Sequence, residues 1–482
     1  MNVLILTAEF EGLAKAGGLA DAVAGLSKAL LKNVNVKVIM PRYYSINPST
    51  LTRIDALPFV YLKDKQYFFA IYKKIIDGVE VYFVDYEEFF GRDGTYTDKN
   101  GEGFLDNDIR FIFFSVAALE TAKVIGFKPD IIHLNDWQTA AAAVKIKEDN
   151  YFKDTATVFT IHNLQHQGFF KKDRFELLNC SWQYFNPFQF EALGHLNLLK
   201  GATALCDTIT TVSRKYAKEI QTPQFGFGLN EHFKALNLKL FGILNGVDYE
   251  KWNPQRDKFI AKNYSVETLD YKQLCKKDLQ EEFGLSQNDA PIIGFIGRLY
   301  EQKGIGLIID IFDRLMQEDV QFVLLGSGKK EFEEFFLSKK AQYPYKVGVH
   351  IGYSEKLAHK IEAGSDFFVM PSLFEPCGLN QIYSLKYGTL PIVRAVGGLD
   401  DTVKNFTPSD KSGWGFKFYE FSPSALLNTI LWAFDVYKNP DIFTLLKKRA
   451  MQLNFGWEKV AEHYLDVYRF ATVAKKLSDC CR

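Results

Sequence analysis

The pattern GGLxD occurs twice in this chain, as Gly17-Gly18-Leu19-Ala20-Asp21 and as Gly397-Gly398-Leu399-Asp400-Asp401. Each copy follows a strand-like apolar run, Val3 to Leu6 in the first case and Leu390 to Val393 in the second, and each opens a helix-like run. In the first copy Leu19, Val23, Leu26 and Leu30 recur at the spacing of one helical face. A strand–glycine–helix junction leaves bare backbone N–H groups at a helix start, where a phosphate can be cradled. Two such junctions in two halves suggest two nucleotide-binding-type folds facing each other.

The rest of the chain alternates in the same way. Strand-like runs at Asn35 to Met40, Asp130 to Leu134, Thr157 to Ile161 and Thr208 to Val212 are separated by helical stretches. After Gly242-Ile243-Leu244-Asn245-Gly246-Val247-Asp248 and Trp252-Asn253-Pro254, the pattern restarts with Pro291 to Ile296, Gln321 to Leu325, Val347 to Ile351 and Asp366 to Met370. Alternating βα units imply mostly parallel sheets with ligands outside the strands' carboxyl ends. The expected division is a first α/β domain over 1–245 and a second over 246–455. In the last stretch, 456–478, Trp457, Val460, Tyr464, Val467 and Tyr468 share one helical face.

Charge and cysteine usage narrow the class. Lys plus Arg and Asp plus Glu both number 58, so net charge is +0 and there is no electrostatic footprint for nucleic acid. No apolar run approaches 18 residues, so no membrane span is expected. MNVLILTAEF enters a strand without a basic region, so no signal peptide is expected. The six cysteines fit neither a zinc site nor a disulfide framework. A reducing, cytoplasmic setting and a solvated Cys480-Cys481-Arg482 tail follow. The sequence carries no signal of oligomeric state.

Glu375 sits between the apolar run Phe367-Phe368-Val369-Met370 and a helix-like run from near Leu379. That places it near a helix N-terminus, which favours the ionised form by roughly 0.3–1 kcal/mol. Cys377 shares the turn, as a thiol of lowered pKa or as a packed free cysteine. Arg298 and Lys303 follow the strand PIIGFIG and read either as ligand-directed cations or as surface charges at a turn. His162 and the pair Asp136-Trp137 end buried-type strands, where core packing is the plain alternative.

KAGGLAD from Lys15, IHN at Ile161 to Asn163, GRLYEQKG at Gly297 to Gly304, FEPCGLNQ at Phe374 to Gln381 and FGW from Phe455 stand in order along nearly the whole chain. In these motifs the chain resembles the glycogen and starch synthases of glycosyltransferase family 5. The resemblance implies the GT-B arrangement, two Rossmann-like domains across a deep cleft, with a C-terminal helix crossing back to the first. It implies retaining transfer of glucose from ADP-glucose to the non-reducing end of an α-1,4-glucan, with no metal or other cofactor. It casts Glu375, His162, Lys303 and Arg298 as catalytic. Lys15, Gly17, Gly18, Asn245, Tyr353, Cys377, Gly378, Leu379, Gly397 and Gly398 would bind the donor, Tyr353 by stacking on adenine. Asp21, Phe104, Asp136 and Trp137 would bind the acceptor, Trp137 through its ring unless it is a packing residue. The DxD-like Asp106-Asn107-Asp108 falls within the family's DNxxRF segment and is discounted as a metal signature. Neither nucleic acid nor membrane is an expected partner.

The chain departs from the family pattern at Ala16, Phe104, Gln138, Leu373 and Val396, where threonine, tyrosine, histidine, arginine and threonine are usual. Activity is still expected, because Lys15, His162, Arg298, Lys303 and Glu375 are all present. Two rivals stay open: a GT-B transferase acting on a small acceptor, and a catalytically weak glucan-binding pseudo-synthase.

Overall fold

The computed structural model of the chain describes residues 1–99 and 101–480, so the Cys481-Arg482 end lies outside the described residues. The chain forms two compact units. One comprises Met1–Val212, Ala217–Gly246 and the stretch from Trp457 onward; the other comprises Ser213–Tyr216 and Val247–Gly456.

The first unit is built on a nine-stranded sheet. Its strands run, in order, Leu240–Gly242, Thr208–Thr211, Ala156–Ile161, Ile131–Asn135, Asn2–Leu6, Asn35–Pro41, Val79–Asp85, Ala70–Ile76 and Thr52–Arg53. Pairing is parallel from Leu240–Gly242 as far as Val79–Asp85. Ile131–Asn135 and Ala156–Ile161 are buried along their whole length, as central parallel strands covered on both faces must be. The last two strands are antiparallel additions. A two-residue Asp77-Gly78 turn with both φ positive makes the hairpin, and this turn type suits the strands' twist.

The helix Gly18–Leu30 buries Leu19, Val23, Leu26 and Leu30, as their spacing predicts. Trp457 opens the helix Trp457–Cys480, which returns to this unit. Its indole occupies the space that side chains at Gly25 and Gly246 would fill. Val460, Tyr464, Val467 and Tyr468 are buried with it. The Tyr468 hydroxyl lies 2.9 Å from His133 Nδ1, and Thr160 Oγ1 is 2.5 Å from His133 Nε2. Burial holds the His133 pKa down to about 3, so this core imidazole is neutral.

The second unit has an all-parallel six-stranded sheet in the order Val347–Ile351, Gln321–Gly326, Ile292–Ile296, Phe367–Met370, Leu390–Arg394, Phe416–Phe418. Ile293, Phe295, Leu324, Phe367 and Ile392 lie in its core beneath apolar helix faces.

Each sheet winds outward from a first strand in both directions. The switch lies between Asn2–Leu6 and Ile131–Asn135 in the first unit, and between Ile292–Ile296 and Phe367–Met370 in the second. Doubly wound sheets bind ligands outside the strands' carboxyl ends at these places.

Trp457 is the keystone of the first unit's discontinuous packing. Trp457→Ala is expected to cost about 3–5 kcal/mol. At roughly 2–4 °C per kcal/mol for a unit of this size, the thermal midpoint falls by about 6–20 °C. An unchanged midpoint would contradict this packing role.

Candidate functional site

The second unit gathers its charged groups at its switch point. The turn after Ile292–Ile296 carries Arg298 and Lys303, and the turn after Phe367–Met370 carries Glu375. Gly304, at φ 70°, lets the two turns meet: a Cβ there would overlap the Pro371 carbonyl. Leu373 donates its N–H to Gln302 O at 2.8 Å, and Gln302 Nε2 donates to Phe374 O at 3.4 Å.

The result is a short ion pair. Lys303 Nζ lies 2.6 Å from Glu375 Oε2, and the Ser372 hydroxyl donates to the same oxygen at 3.1 Å. Glu375 is only 5% exposed. Its other oxygen, Oε1, has no hydrogen-bond partner among the described residues. One oxygen is therefore fixed while the other remains for a ligand. Buried Arg394 donates to the carbonyls of Leu373, at 2.5 Å, and Ser372, at 3.4 Å, and so braces the turn from below. Arg298 stays exposed, with Gln302 Oε1 at 3.4 Å and the Tyr300 ring at 6.0 Å.

Two expectations change here. The partner of the Glu375 carboxylate is Lys303, not a helix N-terminus: the next helix along the chain, Asn380–Lys386, begins five residues later, and Asn380 is turned to the Ile296 carbonyl. The second glycine pair does not present a phosphate cradle. Gly398 donates its N–H to the Glu375 and Pro376 carbonyls at 3.1 and 3.2 Å, and Leu399 and Asp400 donate to Val396 O. Side chains at Gly397 and Gly398 would overlap the Glu375 and Cys377 carbonyls. Gly397 and Gly398 therefore support the Glu375 turn from behind.

Cys377 is a packed, buried thiol whose carbonyl accepts from Gln381 Nε2 at 3.1 Å. Gly378, at φ 70°, supplies the left-handed step before Leu379, whose carbonyl begins the next helix. Val396 is buried, whereas Leu373 is partly exposed. On the same unit Tyr353 follows the strand Val347–Ile351 and a positive-φ Gly352, and its ring is 81% exposed.

The first unit's switch point has a different construction. Glu9, buried and just past the first strand, accepts the N–H groups of Ala16 and Gly17 at 2.6 and 2.9 Å with one oxygen. Its other oxygen accepts the Tyr96 hydroxyl at 2.7 Å. This tethers the loop of Lys15, which pairs with Asp21 at 2.6 Å. A Cβ at Gly17 or Gly18 would meet open space. No packing among the described residues demands glycine there, unlike at Gly397 and Gly398.

Across the switch, Asp136 stands at φ 56°, ψ 178°, a conformation rare for a residue with a side chain. Its Oδ1 accepts the His162 N–H at 2.7 Å. Desolvation pushes its pKa up to about 7, against the two backbone N–H donors of His162 and Asn163. His162 Nε2 lies 2.9 Å from Asn135 Oδ1, and Asn135 Nδ2 donates to Leu6 O at 3.0 Å. That chain of bonds assigns the proton to Nε2, and desolvation lowers the His162 pKa to about 3. Asn245 and Trp457 line a small pocket with His162 and Asn135.

Two acceptor-side residues are engaged internally. Trp137 is 8% exposed and packs edge-on against Phe111 and Phe170 at 5.2 and 5.5 Å, so packing, not sugar stacking, is its role. Phe104 lies between the guanidinium groups of Arg92 and Arg110, at 5.0 and 4.8 Å. Gln138 is buried. The DxD-like carboxylates are taken by arginines, Asp106 by Arg92 at 2.8 Å and Asp108 by Arg174 at 2.9 Å.

Sequence reasoning missed Glu9, Ser372 and Arg394. Glu9 had a legible signal, an acid just past the carboxyl end of the first strand. Ser372 and Arg394 act through pairing geometry alone.

Comparison with known proteins agrees with this construction. The starch synthase catalytic domain profile matches residues 2–235, and the glycosyl transferases group 1 profile matches residues 276–443. Glycogen synthase 1 of Geobacter sulfurreducens is 44% identical over 97% of this chain and 96% of its own. Glycogen synthase of Geobacillus stearothermophilus is 41% identical over 97% of each. The catalytic domain of starch synthase IV from Arabidopsis thaliana, bound to ADP and acarbose, superposes with a TM-score of 0.89 at 33% identity, covering 98% of this chain and 99% of that one. A sucrose-phosphate synthase from Thermosynechococcus elongatus shares the fold at a TM-score of 0.60 and 16% identity. With the GT-B fold and this motif set, the chain belongs to the glycogen and starch synthase family of glycosyltransferases.

Proposed function

We propose that the chain transfers glucose from ADP-glucose to the non-reducing end of an α-1,4-glucan with retention of configuration. The observation that carries this reading is the Lys303–Glu375 pair at the second unit's switch point, with Glu375 Oε1 open and Arg298 exposed on the neighbouring turn. Breaking the donor's C1–O bond leaves the electron pair on a diphosphate. Arg298 and Lys303 supply the positive charge that this leaving group needs, in place of a metal ion. Glu375 Oε1 accepts a donor glucose hydroxyl. The acceptor's 4-hydroxyl oxygen forms the new bond to C1 and gives up its proton to an oxygen of the departing diphosphate. His162, neutral, offers hydrogen bonds without adding charge near the sugar.

On this reading Lys15 and the uncrowded Gly17-Gly18 turn, whose Gly17 N–H is held by Glu9, approach the donor, while Asp21 and Asp136 serve the acceptor. The exposed Tyr353 ring is suited to stacking on a nucleobase, and the ADP in the Arabidopsis starch synthase structure supports adenine. Cys180, Cys206, Cys275 and Cys377 form no disulfide, which suits a reducing, cytoplasmic setting. No described helix is long and apolar enough to cross a membrane.

The test is incorporation of labelled glucose into glycogen from ADP-glucose and UDP-glucose in parallel, with a chelator present throughout. ADP-glucose is expected to be the better donor, and Lys303→Ala or Glu375→Ala to lower kcat by about 10²–10³ or more. No incorporation from either donor would overturn the reading.

Tyr353→Ala is expected to raise KM for ADP-glucose roughly 5–150-fold, matching about 1–3 kcal/mol for ring-on-base stacking, with kcat nearly unchanged. A fall in kcat at constant KM would contradict the stacking role.

The His162 shift predicts an acid-side stability loss. Its folded pKa of about 3 lies below the ordinary 6.5, so the unfolded chain takes up a proton that the native state refuses. The contribution is complete above pH 6.5 and declines as pH falls towards 3. Thermal midpoints of His162→Gln should fall less steeply than wild type between pH 6.5 and 4; parallel curves would refute this.

A further inference from the structure

A buried hydroxyl stands behind the Glu375 turn and has had no role so far. Ser213 belongs with Arg214, Lys215 and Tyr216 to the second unit, although all four follow the Thr208–Thr211 strand of the first unit's sheet along the chain. Ser213 is 0% exposed. Its hydroxyl donates to the Pro376 carbonyl at 2.6 Å and accepts the Tyr216 N–H at 3.1 Å. The direction is forced, because a carbonyl only accepts and a backbone N–H only donates. The Tyr216 bond is an N-cap for the helix Arg214–Glu219. The Pro376 bond serves no helix.

The same segment is docked at a second point. Asp401 accepts the backbone N–H groups of Arg214 and Lys215, the latter at 2.9 Å. Lys215 Nζ lies 3.3 Å from Asp400 Oδ2, and Lys417 Nζ lies 2.6 Å from Asp400 Oδ1. The segment therefore ties the Glu375 turn to the helix that starts at Gly397-Gly398. At the turn itself, the buried Pro376 carbonyl receives the Ser213 hydroxyl and the Gly398 N–H, the latter at 3.2 Å. Gly398 divides its one hydrogen between that carbonyl and the Glu375 carbonyl at 3.1 Å. The serine supplies the shorter bond.

We infer that Ser213 is a positioning residue for the transfer: by holding the Pro376 carbonyl it fixes the backbone that aims Glu375. The inference rests on the proposed function for the reaction it serves. A proline fixes its own φ and restricts the residue before it. Little freedom then remains along Glu375-Pro376 beyond the Pro376 ψ, which decides where that carbonyl points. With the carbonyl held, the turn cannot rotate. Glu375 Oε2 is pinned by Lys303 and Ser372, so a backbone shift would swing Oε1 about that pivot. A misplacement of about 1 Å at a catalytic group lowers rate on the order of 10²-fold. Arg298 and Tyr353 stand on other turns, so the contacts proposed for the donor's diphosphate and base do not depend on this carbonyl.

The test measures kcat and KM for ADP-glucose, with glycogen saturating, in the wild-type chain, Ser213→Ala and Ser213→Gly. Glycine caps a helix nearly as well as serine and better than alanine, so a capping role alone would leave Ser213→Gly close to wild type. The expected result is a kcat lowered about 10–100-fold in both variants, with KM for ADP-glucose nearly unchanged. Asn439→Ala removes the N-cap of the helix Pro440–Gln452 in the same unit and should leave kcat at the wild-type value. Wild-type kcat in both folded Ser213 variants would overturn the role, and so would a loss confined to Ser213→Ala, which capping explains. A rise in KM at constant kcat would overturn it in favour of donor binding. A matching loss in Asn439→Ala would overturn it in favour of general destabilisation. A wild type that incorporates no glucose from either donor would overturn the proposed function and this role together, whereas an active wild type with unaltered Ser213 variants overturns this role alone.

Discussion

The contact between Lys303 and Glu375 organises the second unit. A carboxylate 5% exposed to solvent needs a counter-charge, because an unpaired buried ion is expensive to maintain. Lys303 can reach it only because Gly304 has no side chain to keep the two turns apart. Gly397 and Gly398 let the neighbouring helix start press against the same turn, and Arg394 holds its carbonyls. Most of the unusual backbone at this switch point serves one acid and its orientation.

The architecture was largely legible because its signals are local. Buried parallel strands read as short apolar runs, and the strands from Val347 to Ile351 and from Gln321 onward begin where the pattern places them. The helix face of Leu19, Val23, Leu26 and Leu30 is likewise local information. The Thr52–Arg53 and Ala70–Ile76 strands extend the sheet through antiparallel pairing, and nothing in the βα alternation announces them. At the site, residue types were legible and their partners were not. The helix-terminus account of Glu375 followed from proximity in sequence, whereas its actual partner lies 72 residues away. Trp137 shows the same limit: indole chemistry fits a sugar face, but Phe111 and Phe170 have already claimed the ring.

The two GGLxD copies show that one string can answer two demands. The second is dictated by crowding, since any side chain at Gly397 or Gly398 would strike a carbonyl of the Glu375 turn. The first faces open space and is tethered by Glu9, so its backbone is displayed rather than packed. Asp21 pairs with Lys15, while Asp401, its counterpart, accepts the backbone N–H of Lys215 at 2.9 Å. A shared strand–glycine–helix form does not carry a shared role.

The wedge of Trp457 between Gly25 and Gly246 also bears on the order of events at the ribosome. The second unit occupies the chain between Gly246 and Trp457, about 210 residues that must be made before the indole exists. At roughly 5–20 residues per second, that takes about 10–40 s. Throughout that interval the first unit has its sheet but not the helix that covers Gly25, and His133 lacks the tyrosine that satisfies its ring. The half of the protein synthesised first is therefore the half completed last. A nascent chain stalled before Trp457 would display an uncovered apolar groove to chaperones and proteases.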